Sequence, residues 1–499
     1  MRIRGQGHGG RIALTVALCG MLAVSAAGAA GASAAAGASA AASQPTRIRS
    51  LFLPVAVSPP VTATITVPRS GKVLGQIDDH YVGLSFESGT LNSGRFDNAG
   101  DLAQLLRNLG RSVMRFGGLT VDASYAGISP GALAGLARLA KASGWTVLYS
   151  EDLGDYAGAA VTADAKAVAT ALGPSLAAFA CGNEPDAYGE DGYRPSPYTL
   201  ADYLRDAAAC LAAVRSGAPN APLEGADLTG APGWLLAYAK QESGRLAFLG
   251  QHLYAAGCVA NYRGQTARQA AAKLLSPALV AHEVSSFSWL VTDAKIARAW
   301  PIISETSNIC SGGLAGVSNT YAAALWAIDY MLTGAEHGVR GMNFHDRFLT
   351  TCTPYSPLCP ASGRPSEFAA EPIYYGMLFT HLLGPGDLLP VTVRASVAAG
   401  NVTAFALRPA SGDGVRLMVE NLTGRVAGIT LILGGCLNSA RILHLTAPGL
   451  TARTEVRIQG AEIGTDGMIK PAAPTVIRCP SARCQLRLAP YTAVLVAAT

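Results

Sequence analysis

Between about residues 80 and 385, short apolar runs of β type alternate with longer Ala- and Leu-rich runs. The short runs are Tyr81–Glu87, Ser112–Phe116, Thr146–Ser150, Leu176–Cys181, Pro222–Ala226, Ala247–Leu253, Pro301–Glu305 and Gly341–His345. Helical stretches such as Leu200–Arg215, Thr266–Leu275 and Ser318–Leu332 fall between them. Strands alternating with helices in this way over roughly 300 residues predict an α/β chain with a (β/α)8 TIM barrel over residues 81–385. A doubly wound open sheet is the structural alternative, but no G-x-G-x-x-G turn follows an early strand. After residue 386 the texture changes. Val391–Val393, Val402–Leu407, Val415–Val419, Gly428–Leu433 and Val494–Ala497 are short β-type runs parted by Gly, Asn and Pro turns. They predict a C-terminal β-sandwich over 386–499. Residues 44–80 are Pro-rich and then β-rich at Val61–Val67, which reads as a linker and an edge strand.

Composition narrows the class. The 499 residues make the chain about three times a ~150-residue domain, although an α/β barrel fills much of that alone. Half of the residues are hydrophobic and only 14% are charged, which excludes disorder for the bulk. No Gly-X-Y repeat or sustained heptad pattern appears, so a fibre is excluded. The mean hydropathy of +0.27 is inflated by Ala, and a single apolar run approaches membrane length. That run lies near residue 1. Arg2, Arg4 and Arg11 form a positive region, Ile12 to Val24 an apolar stretch, and the Ala/Gly/Ser segment to Ser43 offers A-x-A-type cleavage sites. Residues 1–43 therefore predict a secretory signal peptide, with an uncleaved anchor as the alternative. Losing its three Arg takes the formal net charge from +5 to about +2. No nucleic-acid partner is expected from that balance.

Nine Cys follow Cys19, and Cys352 with Cys359 and Cys479 with Cys484 are spaced to pair in an oxidising compartment. The odd count leaves at least one thiol free. No C-x-x-C pair occurs and the eight His are scattered, so no metal or cofactor is expected.

Barrel chemistry sits at the carboxyl ends of strands. Two acids stand out there. In Cys181-Gly-Asn-Glu-Pro-Asp186, Glu184 directly follows the fourth apolar strand, and Pro185 stops that strand. In Ile302-Ile-Ser-Glu-Thr-Ser307, Glu305 ends the seventh. Either acid alone suits a helix cap or an ion pair. Together, on strands four and seven of one mouth, they suit the carboxylate pair that glycoside hydrolysis with retention requires, about 5 Å apart.

The Asn-Glu-Pro end of strand four with the Glu of strand seven resembles the large clan of retaining (β/α)8 glycosidases. Within that clan the chain resembles glycoside hydrolase family 79, the β-glucuronidase and heparanase family. The stretches that carry this are Gly83-Leu-Ser-Phe-Glu87, Arg115-Phe-Gly-Gly118 with Asp122, Gly182-Asn-Glu-Pro185 and Ser304-Glu-Thr-Ser307 with Gly312-Gly313. Gly316-Val-Ser318, Ala324-Leu-Trp-Ala-Ile-Asp329 and Tyr374-Tyr-Gly376 add to them, so the resemblance runs from about residue 80 to 380. It implies that Glu184 is the general acid/base, with a pKa raised by a partly apolar site, and that Glu305 is the ionised nucleophile. Asn183 matches a residue that hydrogen-bonds the sugar 2-hydroxyl, and Tyr254 a phenol that contacts the nucleophile. Glu87 and Asp122 match acids that grip sugar hydroxyls. The family architecture also implies that the 44–80 segment gives a strand to the sandwich.

One departure bears on substrate. Where well-known members carry a Tyr that helps bind a glucuronate carboxylate, this chain has Cys310, followed by Ser311-Gly-Gly313. Tyr355, the Gly312 and Gly313 amides and Arg347 are the candidate replacements. His345 and Asp346 end strand eight and fit either the cleft wall or a core role. Cys258 and Cys310 follow neighbouring strands, which suggests a disulfide at the rim. The expected partner is a glycan or glycoside. A neutral-sugar glycosidase of the same clan and a non-catalytic glycan-binding protein remain the alternatives.

Overall fold

The computed structural model describes residues 59–498 except 69–70, 124–126, 348–350, 362–366, 399, 413 and 435–437. The expected leader, the Pro-rich residues before 59 and Cys436 lie outside the described residues.

Each of the eight expected runs forms a strand. They are β1 (Val82–Glu87), β2 (Val113–Gly117), β3 (Thr146–Glu151), β4 (Leu176–Cys181), β5 (Glu224–Leu228), β6 (Phe248–Leu253), β7 (Trp300–Thr306) and β8 (Met342–Asp346). They pair in parallel in the order β4-β3-β2-β1-β8-β7-β6-β5. The ring is completed between β4 and β5, where Phe179 N–H donates to the Pro222 carbonyl at 3.0 Å and Glu184 N–H to the Asp227 carbonyl at 2.8 Å. Strands β1, β5 and β8 are buried along their whole length, because helices cover one face and the barrel lumen fills the other. Two helices show why the chain turns where it does. Thr199 and Asp202 form a reciprocal capping box at the start of Leu200–Gly217. Ser276 caps Pro277–Ala297, with Pro277 at its first turn, where a missing N–H costs nothing. Among the described residues no single helix is long and apolar enough to cross a membrane.

The helix Tyr321–Glu336 is buried on every side except at Glu336. An all-round apolar surface needs cover on every side. The helix Pro372–His381 supplies part of it, and the sandwich another part, through Tyr321 O–H to the Leu445 carbonyl at 2.7 Å. One sandwich sheet runs Thr392–Ala395, Val61–Val67, Ala427–Leu433, Arg483–Leu488. Val61–Val67 is thus an interior strand rather than an edge strand, paired in parallel with Ala427–Leu433. Its alternating burial, with Val61, Ala63, Ile65 and Val67 inward, packs against Val419, Leu417 and Val496 of the second sheet. Gly75–Ile77 lies at one edge of that second, eight-stranded sheet.

Four disulfides occur among the described residues. Cys258–Cys310, Cys352–Cys359 and Cys479–Cys484 are the expected pairs. The fourth, Cys181–Cys210, ties the end of β4 to the helix Leu200–Gly217, and no short spacing announces it.

Candidate active site

The carboxyl ends of the strands open on a cavity of about 750 Å³ whose wall includes Glu87, Glu184, Tyr254, Glu305, His345 and Tyr355. Its floor is organised by Arg115, a cation placed in the middle of apolar β2 and completely buried. Arg115 Nη1 donates to Glu305 Oε2 at 2.7 Å and to Ser85 Oγ at 3.1 Å. Its Nη2 donates to Asn183 Oδ1 and to Asp227 Oδ2, both at 3.0 Å. One planar fork therefore fixes groups from β1, β4, β5 and β7. The glycines of Arg115-Phe-Gly-Gly118 make room for it: a Cβ on Gly117 would stand 2.6 Å from the guanidinium, and one on Gly118 2.6 Å from Glu87 Oε2.

Glu305 is buried, and burial alone would push its carboxyl up. His345, His252 and Arg115, with a hydrogen bond from Tyr254, outweigh that and hold it well below the usual carboxylate range. Tyr254 O–H donates to Glu305 Oε1 at 2.7 Å. With both oxygens taking a donor, Glu305 is an anion of fixed orientation.

Glu184 sits in the left-handed region, at φ 53° and ψ 49°. A non-glycine residue pays about 1–2 kcal/mol for this. The Glu184 N–H bond to Asp227 and the Ala187 N–H bond back to the Glu184 carbonyl, at 2.9 Å, hold the turn. It aims the side chain across to β6, where His252 Nδ1 meets Glu184 Oε1 at 3.0 Å. Glu184 therefore faces an imidazole rather than the partly apolar wall expected for it. On the other side of that ring, His252 Nε2 lies 3.7 Å from Asp227 Oδ1. Burial lowers the His252 pKa, but Glu305, Glu184 and Asp227 together raise it above the ordinary value despite Arg115. Asp227 is held low: burial opposes its charge, and Arg115, His252, a bond from Glu224 and one from Ser304 Oγ favour it. Neighbouring Glu224 is pushed well up by burial and by Asp227.

A second group of side chains lines the β1–β8 side. Glu87 Oε2 accepts from Thr120 N–H at 2.9 Å and Thr120 Oγ1 at 2.7 Å. Arg347 Nε and His345 Nε2 stand 3.5 and 3.7 Å from Glu87 Oε1. The Tyr355 ring packs at 5.9 Å from both Tyr254 and His345. Cys258 and Cys310, joined, form part of the rim together with Ser311.

Five expected residues do not line the cleft: Asn183, Asp122, Gly312, Gly313 and Asp346. Asp122 lies beneath it, with Oδ1 taken by Leu153 and Gly154 N–H and Oδ2 by Asn183 N–H at 2.8 Å. Burial raises this carboxyl to about 7, against bonds from Tyr188 and those amides. It positions Asn183 and has no face left for a sugar. Gly312 and Gly313, at φ 86° and 85°, turn the chain behind Ser311, where the Gly312 carbonyl accepts from Tyr355 N–H at 3.3 Å. Asp346 follows inward His345 on β8, so the two-residue alternation turns it outward, where it accepts from Leu358 N–H at 2.8 Å. Arg115, Asp227, His252 and Ser304 were not singled out as site residues. For Arg115 the signal is a lone charge inside an apolar strand; Asp227, His252 and Ser304 share their strands with Glu224, Gln251 and Glu305, and no such signal sets them apart.

One oxygen each of Glu184 and Glu305 and a ring nitrogen of His252 lie within 4.8 Å of one another, a spacing a metal ion could use. The donor set argues against one. Glu305 already takes donors on both oxygens, and the raised His252 favours a proton on the nitrogen that a metal would need.

No family model matches the chain. A β-glucuronidase from Aspergillus niger is 24% identical over 254 residues, which is 47% of this chain and 45% of that protein. The chain thus matches about half the length of that relative. Among solved structures, a 4-O-α-L-rhamnosyl-β-D-glucuronidase from Fusarium oxysporum, in complex with Rha-GlcA, superposes with a TM-score of 0.71 at 20% identity. That match covers 87% of this chain and 100% of the other. An arabinofuranosidase of family GH51 from Xanthomonas axonopodis pv. citri superposes at 0.63 with 13% identity, over 88% and 100% of the two chains. The barrel-plus-sandwich fold is therefore shared with glycoside hydrolases.

Proposed function

We propose that this chain is a secreted, retaining β-glycosidase of the glycoside hydrolase family 79 type, acting on β-glucuronides without a metal or cofactor. The observation that carries the proposal is the carboxylate pair on β4 and β7, with oxygens within 4.8 Å of each other. Retention needs about 5 Å, whereas inversion needs about 6.5–9.5 Å to admit a water. Glu305, held ionised by Arg115 and Tyr254, attacks the anomeric carbon while the glycosidic C–O bond breaks and Glu184 protonates the leaving oxygen. His252 Nδ1, 3.0 Å from Glu184 Oε1, stands where it can exchange a proton with the acid. Glu184 then takes a proton from water, which displaces Glu305 and releases the sugar with its original configuration. Asn183 Oδ1 is occupied by Arg115 and by Gly118 N–H, so its Nδ2 is the donor left for the 2-hydroxyl. Glu87 accepts from another sugar hydroxyl.

The uronate assignment rests on the β1–β8 side. Cys310 is committed to a disulfide, and Gly312 and Gly313 stand back from the cleft. Arg347, with Tyr355 and Ser311 beside it, supplies the positive charge and the hydroxyl donors that a glucuronate carboxylate needs. The four disulfides and the leader-like first 43 residues support export. A panel of aryl glycosides tests the substrate: β-glucuronide is expected to be cleaved best. Turnover of β-xyloside with none of β-glucuronide would reject the uronate and leave the glycosidase standing.

A further inference from the structure

The cavity extends past Glu184 to the β5–β6 side, and its wall changes character there. Thr229 and Gly230 follow β5, while His282, Ser286 and Trp289 project from the helix Pro277–Ala297 at spacings of four and three, so they share one face. Trp289 is 51% exposed and Leu119, across the cavity, 37%. Among the described residues both are large apolar side chains left exposed to solvent, and both line this one cavity. Around Trp289 the lining holds no Arg and no acid other than Glu184; Asp186, close by, is taken up by the Thr229, Gly230 and Ala231 N–H groups, and Glu87 and Arg347 face the other side. The exposed indole lies on the cavity wall, and its electron-rich face suits weakly positive C–H groups.

Resting on the glycosidase reading, we propose that this arm is the leaving-group subsite and that it holds an uncharged sugar residue stacked on Trp289. Glu184 must reach the leaving oxygen, so the leaving group lies on its side of the scissile bond, toward β5. The charged glycone then occupies the β1–β8 side. The enzyme is accordingly built for oligosaccharides, with Trp289 determining specificity beyond the cleaved bond.

The test compares kcat/KM for two substrates with the same glycone: a disaccharide glycoside and the methyl glycoside. Trp289→Ala is expected to lower the disaccharide-to-methyl ratio about tenfold, the loss of roughly one stacking contact. Gly230→Leu is expected to lower it as well, because a Cβ at Gly230 meets nothing within 4 Å and the new side chain would fill the arm. Melting temperatures of both variants confirm that they are folded. An unchanged ratio in Trp289→Ala, or an equal loss on both substrates, overturns the proposal. A ratio that falls for a phenyl glycoside but not for the disaccharide assigns the arm to an aromatic ring and overturns the sugar. If glucuronides are inert but a neutral pair is cleaved, only the uronate reading fails and the ratio is read on that pair. If no glycoside is cleaved, the reading of function falls and takes the subsite with it.

Discussion

Replacing Arg115 by Lys keeps a buried positive charge but removes the fork on which the floor is built. Arg115 makes four hydrogen bonds of 2.7–3.1 Å from two terminal nitrogens to Glu305, Ser85, Asn183 and Asp227. A single Lys Nζ can stay near the two carboxylates, but it cannot also hold Asn183 and Ser85. Two charge-assisted bonds at about 1.5–3 kcal/mol each put the loss near 3–6 kcal/mol. Part of this appears in stability and part in the placement of Glu305 and Asn183, so kcat/KM should fall on the order of 100-fold. The pH profile should move as well. Burial opposes ionisation of Glu305, and His345, His252, Arg115 and Tyr254 keep it ionised. A depressed acid is competent above its pKa and fails as pH drops through it, so weakening the cation moves the acid limb to higher pH. The assay is kcat/KM against pH on an aryl glycoside, with urea unfolding alongside. A Lys variant within about threefold of the unmodified enzyme, with the same acid limb and stability, would refute the organising role of Arg115.

Two further outcomes follow from buried groups. Burial raises Glu283 from 4.5 to about 8 against a 2.9 Å bond from Trp326 Nε1, with Asp329 adding to the rise. The folded carboxyl holds its proton more tightly than the unfolded one, so its contribution is complete below the unfolded value and is lost as pH rises through about 8. Glu283→Gln should therefore shrink the stability lost between pH 5 and 9 by about 3–5 kcal/mol in urea unfolding, and parallel pH curves would contradict this. Replacing Cys258 and Cys310 together by Ser opens a link across 52 residues. It should lower unfolding stability by about 2–4 kcal/mol and raise KM more than it lowers kcat. Unchanged unfolding and KM would show that the rim bridge is dispensable.

The barrel was legible because each strand is an apolar run ended by a turn, and Glu184 and Glu305 stood out only jointly, as two strand-ending acids on one barrel mouth. Residue type alone did not reveal contacts set by strand register. Arg115 reaches Asp227 and Glu305 only because β2, β5 and β7 curve around one lumen. Asp122 looked like a sugar ligand until the backbone amides of Leu153 and Gly154 were seen to occupy it. Asp346 beside His345 is separated from the cleft by the alternation of the strand, which proximity in sequence hides. Val61–Val67 carries a strand pattern but no clue to a partner more than 350 residues away, and so its interior place could not be read.

The central claim is that Glu305 and Glu184 act as nucleophile and acid/base on a sugar between them. Following hydrolysis of a β-glucuronide by proton NMR in the first minutes, before the product mutarotates, tests it directly. The β-anomer of the free sugar should appear first, and Glu305→Ala should produce none. Initial release of the α-anomer would show a single inverting displacement and contradict the assignment of Glu305.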